Sequence, residues 1–351
     1  MKGSRDMSMM LKEIHQQPEA LARMFDKESD NAGKIAARAR EMNPAFFCLV
    51  ARGSSDNAAL YGKYLFEGRL GIPSSLAAPS VSTVYKKQID FSRGVVIGIS
   101  QSGEAPDIVE VLSSAKKSGA YTVGITNTEG SPIAKAADDV LFLRAGREKG
   151  LAATKTYTTQ LLAMMMIAAF FSNDKKMIRA IQSLPESIEK AFTLEDRIRT
   201  MSERYRYMQQ CVIIGRGYDY CTVKEAALKF METCYVVAQP FSTADFMHGP
   251  IAVAGDGFPT FVSVPSGKMS ARLTELCSQL QEKNLETIVI SPLKKALRTA
   301  TMAVELPASV IEAVSPAVSI VPFQYFACFL SRARGLDPDH PRFLSKVTRT
   351  L

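Results

Sequence analysis

Apolar and polar positions along the chain follow two rhythms. Between residues 8 and 42, Met10, Ile14, Leu21 and Met24 recur at helical spacing with mixed charges between them, which predicts helix, with Pro18 placed to break it in two. Residues 46–51 form a short apolar run that ends in Arg52-Gly53-Ser54-Ser55 and gives way to a helical pattern through Phe66. That reads as strand, tight turn, helix. The punctuation then repeats: residues 95–100 are rich in β-branched side chains, 101–107 read as a loop, and 108–118 as a helix closed by Gly119. Residues 121–126 and 140–143 supply further strands, with a helical stretch near 132–137 between them. Strands alternating with helices at this spacing predict a mainly parallel sheet covered on both faces.

From about residue 195 the pattern begins again. Val212-Ile213-Ile214 runs into Gly215-Arg216-Gly217 and a helix, so Arg52-Gly53 and Arg216-Gly217 match at an offset of 164 residues. After a one-residue slip, Tyr64-Leu65-Phe66-Glu67 is echoed by Lys229-Phe230-Met231-Glu232. A diverged duplication of a whole domain is the reading. The second half continues with strands at 260–264 and 287–291 and a long helix over 315–334, while charged helical residues between 173 and 205 form a connector. The expected organisation is a helical segment over 1–42, a first domain over 43–190, a second over 191–335, and a turn-rich tail over 336–351. The expected fold class is α/β, two tandem domains, each a mainly parallel sheet flanked by helices in a flavodoxin-like three-layer sandwich.

Composition narrows the function. The net charge of +8 is spread along the chain without a basic run, so nucleic acid is not the expected partner; an anionic small substrate explains the balance. The longest apolar run, 161–171, is about half of what a bilayer span needs, and reads as a buried helix. No apolar stretch with a cleavage site opens the chain, and six cysteines show no CxxC spacing, so a reducing cytoplasm is the expected location, with no membrane contact. Three histidines make a multi-histidine metal site improbable. No metal or organic cofactor is expected.

The strongest local feature is Ser100-Gln101-Ser102-Gly103, between a strand and a helix. A phosphate needs converging donors, and two hydroxyls, an amide and backbone N–H groups at a helix start supply them, with Gly103 admitting the close approach. A plain helix cap is the alternative. Ser54 and Ser55 open a second turn at the same edge of the sheet, where ligands of open α/β folds bind, and this favours the phosphate reading. Glu104 must point away from any phosphate. Thr154-Lys155-Thr156 offers further hydroxyls and a cation, or simply caps the next helix.

These residues resemble a known family. Gly53-Ser54-Ser55, Ser100-Gln101-Ser102-Gly103-Glu104, Glu148-Lys149-Gly150-Leu151-Ala152-Ala153-Thr154-Lys155, Glu232-Thr233-Cys234-Tyr235, His248-Gly249-Pro250 and Lys346 stand in the order seen in the isomerase half of glucosamine-6-phosphate synthase. The resemblance begins at Leu11-Lys12-Glu13-Ile14 and covers nearly the whole chain. It implies two tandem sugar-isomerase (SIS) domains. With no glutaminase domain, the chain looks more like the stand-alone SIS-type glucosamine-6-phosphate deaminases, which produce fructose 6-phosphate and ammonia.

The resemblance implies a phosphate cradle of Ser54, Ser55, Ser100, Gln101 and Ser102, and sugar contacts at Leu151, Ala152 and Ser345. Ala105 stands where the synthase pattern has Thr, and Leu151 where it has a smaller Val. Moving a proton between neighbouring carbons needs a carboxylate that reaches both. Glu232 is that candidate, with Lys229 three residues before it to hold it ionised or to bind sugar oxygens; a surface ion pair is the plain alternative. His248 resembles the family's ring-opening histidine, which reaches a neighbouring subunit's site and implies a homodimer with a shared active site. Lys346 resembles the synthase's Schiff-base lysine, carried on a tail that folds over the site.

The expected function is therefore isomerisation and deamination of a phosphorylated amino sugar, glucosamine 6-phosphate, by ring opening, 1,2-proton transfer and imine hydrolysis. A deglycase of 6-phosphorylated fructosyl amino acids uses the same imine chemistry. A sugar-phosphate-sensing regulator would carry a helix-turn-helix domain, for which the segment before the first strand is too short. The enzymatic reading requires Glu232 and the 100–102 turn to face one cavity.

Overall fold

The computed structural model describes residues 7–307 and 309–345. It holds two five-stranded parallel sheets. The first comprises β1 (Phe46–Val50), β2 (Ser74–Leu76), β3 (Gly94–Ile99), β4 (Tyr121–Thr126) and β5 (Asp139–Phe142), in the order β2-β1-β3-β4-β5. The second comprises β6 (Gln210–Gly215), β7 (Val237–Ser242), β8 (Pro259–Ser263), β9 (Glu286–Ser291) and β10 (Met302–Glu305), in the order β7-β6-β8-β9-β10. Both therefore have the same strand order. Cys48 lies beside Val96 in one sheet and Val212 beside Thr260 in the other, so the 164-residue offset relates both members of the pair. The duplication read from the sequence is a duplication of a sheet and its helices.

Two compact units contain these sheets. One consists of 19–146 and 156–184, around the first sheet; the other consists of 7–18, 147–155 and 185–344, around the second. In the first unit Cys48, Val50 and Val96 of the sheet pack with Ile108, Leu112 and Ile133. In the second, Ile214, Val262 and Val289 pack with Leu273, Leu276 and Leu280 of the helix Ser270–Glu282. Every residue of β3 and β4 is buried, which is why these strands read as continuous apolar runs rather than alternating ones.

Three strands had no legible pattern, and all three are sheet edges. β2 is three residues long, β10 is four, and β7 carries Pro240, whose missing N–H is tolerated only where no neighbouring strand needs it. At the N-terminal side the helical pattern forms Met9–His15 and Gln17–Glu41. The break falls at Gln16, and Pro18 sits in the first turn of the new helix, where its absent N–H costs nothing. The helix Ser315–Ala333 is buried from Ser315 to Ser331. All six cysteines are buried thiols, and no described helix is long and apolar enough to cross a membrane.

Candidate active site

In the unit of the first sheet, the turns after β1 and β3 are tied together. Arg52 Nε donates to Asp107 Oδ2 at 2.7 Å; Asp107 stands in the first turn of the helix Pro106–Lys117. Ser54 opens the helix Ser54–Leu70, and the buried Ser55 Oγ accepts a 2.9 Å bond from Nε2 of Gln160. Gln160 is itself buried, on the helix Lys155–Phe171, so the neighbouring helix fixes that hydroxyl. After β3, Ser100 Oγ accepts from Gly103 N–H at 3.1 Å and Ser102 Oγ from Glu104 N–H at 3.3 Å. Gly103 has φ +72°, and a Cβ there would come within 2.2 Å of Ser131 Oγ, so only glycine closes this turn. Glu104 is exposed, and among the described residues no carboxylate takes up the turn's backbone N–H groups.

The unit of the second sheet carries the acidic candidate. The helix Tyr220–Lys229 passes into a π-helical turn, Phe230–Cys234, which Tyr235 ends in the left-handed region at φ +55°. Such widened turns recur at functional sites because they displace one side chain from the regular ladder. Here Lys229 Nζ lies 2.5 Å from Glu232 Oε2 and 3.4 Å from Glu225 Oε1. The lysine side chain is 1% exposed, Glu225 is wholly buried, and Glu232 keeps 22% exposure. A solvated surface pair does not describe this arrangement. Burial alone would lower the Lys229 pKa, but the charges of Glu232 and Glu225, with a smaller contribution from Glu148, outweigh it and hold the ammonium above its ordinary value. Lys229 is thus a fixed cation at neutral pH, and the open end of the cluster is the Glu232 carboxylate. It lines a cavity of about 420 Å³ with Tyr235, Arg342 and Phe343.

His248 follows the short helix Thr243–Met247, is exposed, and lines a different cavity of the same unit, about 220 Å³, with Arg216, Thr243 and Arg272. The structure does not bring it onto the wall of the Glu232 cavity. Loop 147–155 also belongs to this unit, and in it Ala152 is buried and Leu151 half-buried. Lys155 opens the helix that follows, and its ammonium bonds Gln16 Oε1 at 2.7 Å and the Arg147 carbonyl at 2.8 Å. Ser345 is exposed, while Lys346 lies outside the described residues.

Three residues of these arrangements carry no role in the sequence reading. Glu225 has a legible sign, its position four before Lys229. Gln160 directly follows Thr158-Thr159 at the edge of the apolar run 161–171 and has none. Glu13 appears only within the opening motif, yet its buried carboxylate accepts the N–H groups of Lys149 and Gly150.

Two parallel sheets of identical order make a tandem, doubly wound α/β architecture. The chain belongs to the SIS domain family, which matches residues 47–170 and 207–331. It is 34% identical over 348 residues to the glutamine–fructose-6-phosphate aminotransferase of Thermococcus kodakarensis, covering 96% of this chain and 57% of that protein. The chain thus spans less than two thirds of the length of such relatives. Among solved structures it is similar to the C-terminal domain of the Francisella tularensis glucosamine-fructose-6-phosphate aminotransferase, with 25% identity, TM-score 0.87, and coverage of 97% of this chain and 100% of that one. A glucosamine-6-phosphate deaminase from Thermotoga maritima is similar at 25% identity and TM-score 0.79, with 98% and 100% covered.

Proposed function

We propose that this protein is a phosphosugar isomerase that deaminates glucosamine 6-phosphate to fructose 6-phosphate and ammonia. The observation that carries the reading is the buried Glu225–Lys229–Glu232 cluster, which leaves one carboxylate open to a cavity beside a permanently charged ammonium. Its kinship with named amino sugar phosphate enzymes supplies the substrate class.

In the proposed reaction the substrate phosphate is held by Ser54, Ser55, Ser100, Gln101 and Ser102. His248, supplied by the second protomer of the proposed homodimer, assists ring opening: the bond from the ring oxygen to C1 breaks, and C1 becomes an aldehyde. Glu232 then removes the proton from C2, which bears the amine, and returns it to C1 while a proton of the amine passes to the C1 oxygen, converting the aldehyde and amine into a C1 alcohol and a C2 imine. Water adds at C2, the C–N bond breaks, and ammonia leaves a ketone. Lys229 and Lys346 polarise the oxygens as charge develops on them. Leu151, Ala152 and Ser345 contact the sugar, and a homodimer completes the site.

The test is to incubate the purified protein with glucosamine 6-phosphate and measure ammonia and fructose 6-phosphate together. Glu232→Gln should lower kcat by on the order of 10³ and change KM by less than about threefold, because a general base acts in the transition state rather than in binding. Turnover retained in this variant refutes the assignment. No product from the amino sugar, with ammonia-free cleavage of a 6-phosphorylated fructosyl amino acid, replaces the deaminase with a deglycase.

A further inference from the structure

Residues 147–154 have neither helix nor strand pairing, so their backbone donors must be satisfied by something else. For Lys149, Gly150 and Thr154, side chains of the same unit do this. Glu13, on the helix Met9–His15, is 1% exposed and accepts Lys149 N–H on Oε1 at 2.5 Å and Gly150 N–H on Oε2 at 3.1 Å. A Cβ at Gly150 would come within 2.8 Å of that same Oε2, so the carboxylate lies flush against the loop backbone. Lys155 Nζ approaches Glu13 Oε1 at 3.6 Å, and Glu148 Oε1 accepts Thr154 N–H at 2.9 Å, which closes the loop on itself.

The platform that carries Glu13 is anchored at both ends. Asp339 accepts the N–H groups of Met9 and Met10 at 2.6 and 2.8 Å, and His15 Nε2 lies 2.8 Å from Glu195 Oε2 and 3.1 Å from the Tyr325 hydroxyl. Burying a carboxylate is costly, and burial does push the Glu13 carboxyl above its usual range even though the two N–H bonds act the other way. An apolar residue would have packed this helix at lower cost. The carboxyl stands where it meets two successive amides immediately before Leu151.

We propose that Glu13 is a positioning residue: its carboxylate clamps Lys149 and Gly150 and so sets where Leu151 and Ala152 meet the sugar. This rests on the functional reading above for the role of those two residues, but the clamp itself does not.

The experiment compares Glu13→Ala and Glu13→Gln in the full chain by steady-state kinetics on glucosamine 6-phosphate, inorganic phosphate binding, and amide hydrogen exchange. Glu13→Ala should raise KM about tenfold with kcat within about twofold, while Glu13→Gln, which keeps one acceptor, recovers part of the loss. Phosphate affinity should not move, because the serine turns belong to the other unit. Exchange at Lys149 and Gly150 should accelerate at least about tenfold in Glu13→Ala and less in Glu13→Gln. Unchanged exchange at these amides overturns the proposal whatever the substrate proves to be. Faster exchange with unaltered KM in an active enzyme also overturns it, as does a parallel loss of KM, kcat, phosphate binding and melting temperature in both variants. If the protein does not act on the amino sugar at all, accelerated exchange still upholds the clamp, and the failure then belongs to the functional reading.

Discussion

The turn after β3 and the turn after β8 occupy the same place in sheets of the same order, and Ser102-Gly103 and Ser266-Gly267 correspond at the 164-residue offset. Both glycines have positive φ, +72° and +132°. The groups around them differ. In the first turn the serine hydroxyls accept N–H bonds from the turn itself, and Glu104 is exposed. In the second, Glu312 takes Lys268 N–H at 2.8 Å and Met269 N–H at 3.1 Å, and Ser266 Oγ is held by Val310 and Ser309. The neighbouring turns differ in the same sense. At the offset of Ser55 stands Asp219, a wholly buried carboxylate bonded by Ser263 at 2.6 Å and Ser315 at 2.8 Å. One copy offers hydroxyls; the other has supplied its own acids. Two acids in the second copy already occupy the hydroxyls and N–H groups that a phosphate would need, so the geometry of the fold does not by itself make a phosphate site. What decides is whether the chain has already filled the donors with acids of its own.

That contrast can be tested from either side. The largest effect is expected in the first turn: Ser100→Ala with Ser102→Ala should weaken phosphate or sugar-phosphate affinity by at least about 100-fold, since each hydroxyl bond to a charged group is worth about 1.5–3 kcal/mol, and should also cost about 1–2 kcal/mol of stability, because the Gly103 and Glu104 amides lose their acceptors. Isothermal titration with inorganic phosphate reads this directly, and an unchanged affinity would remove the turn from the phosphate reading. In the second turn only stability should respond. Glu312→Ala should cost about 1–2 kcal/mol of stability by denaturant titration, because two amides lose their acceptor, with phosphate affinity unchanged. The smallest effect concerns Asp219. Burial pushes its carboxyl above the usual range, only partly offset by the hydroxyls of Ser263, Ser315 and Ser319. A raised folded pKa means the folded state holds the proton more tightly than the unfolded one. Its contribution is complete below the unfolded pKa and is lost as pH rises through the folded value. Stability of the native protein relative to Asp219→Asn should therefore fall from acid towards neutral pH, and a pH-independent difference would show that this carboxyl does not titrate on unfolding.

The strands most legible in the sequence are those buried on both faces, because burial forces a continuous run of Val and Ile that no loop would carry. β2, β7 and β10 escaped because an edge strand needs only half its backbone paired and few of its side chains covered. For the site, short-range relations were readable and long-range ones were not. Lys229 and Glu232 could be paired from their spacing, since a helix fixes neighbours three apart. Gln160 on Ser55, Glu13 on Gly150 and Glu312 on Met269 join residues 105, 137 and 43 positions apart, and nothing in local pattern encodes such meetings. The π-helical turn was likewise invisible, because Phe-Met-Glu-Thr-Cys has no composition that distinguishes it from an ordinary helical turn.

That widened turn has a consequence for how the segment can change. Its carbonyls reach one residue further along the chain than those of the helix before it, so Glu232 owes its place to a count of residues as well as to its neighbours. Substitutions at the half-exposed Met231 leave that count intact. Losing a single residue between 230 and 234 would instead rewind the backbone, swing the acid around the axis and drag Tyr235 out of its left-handed bend. Chain length, as much as the acid itself, is what this stretch has to conserve.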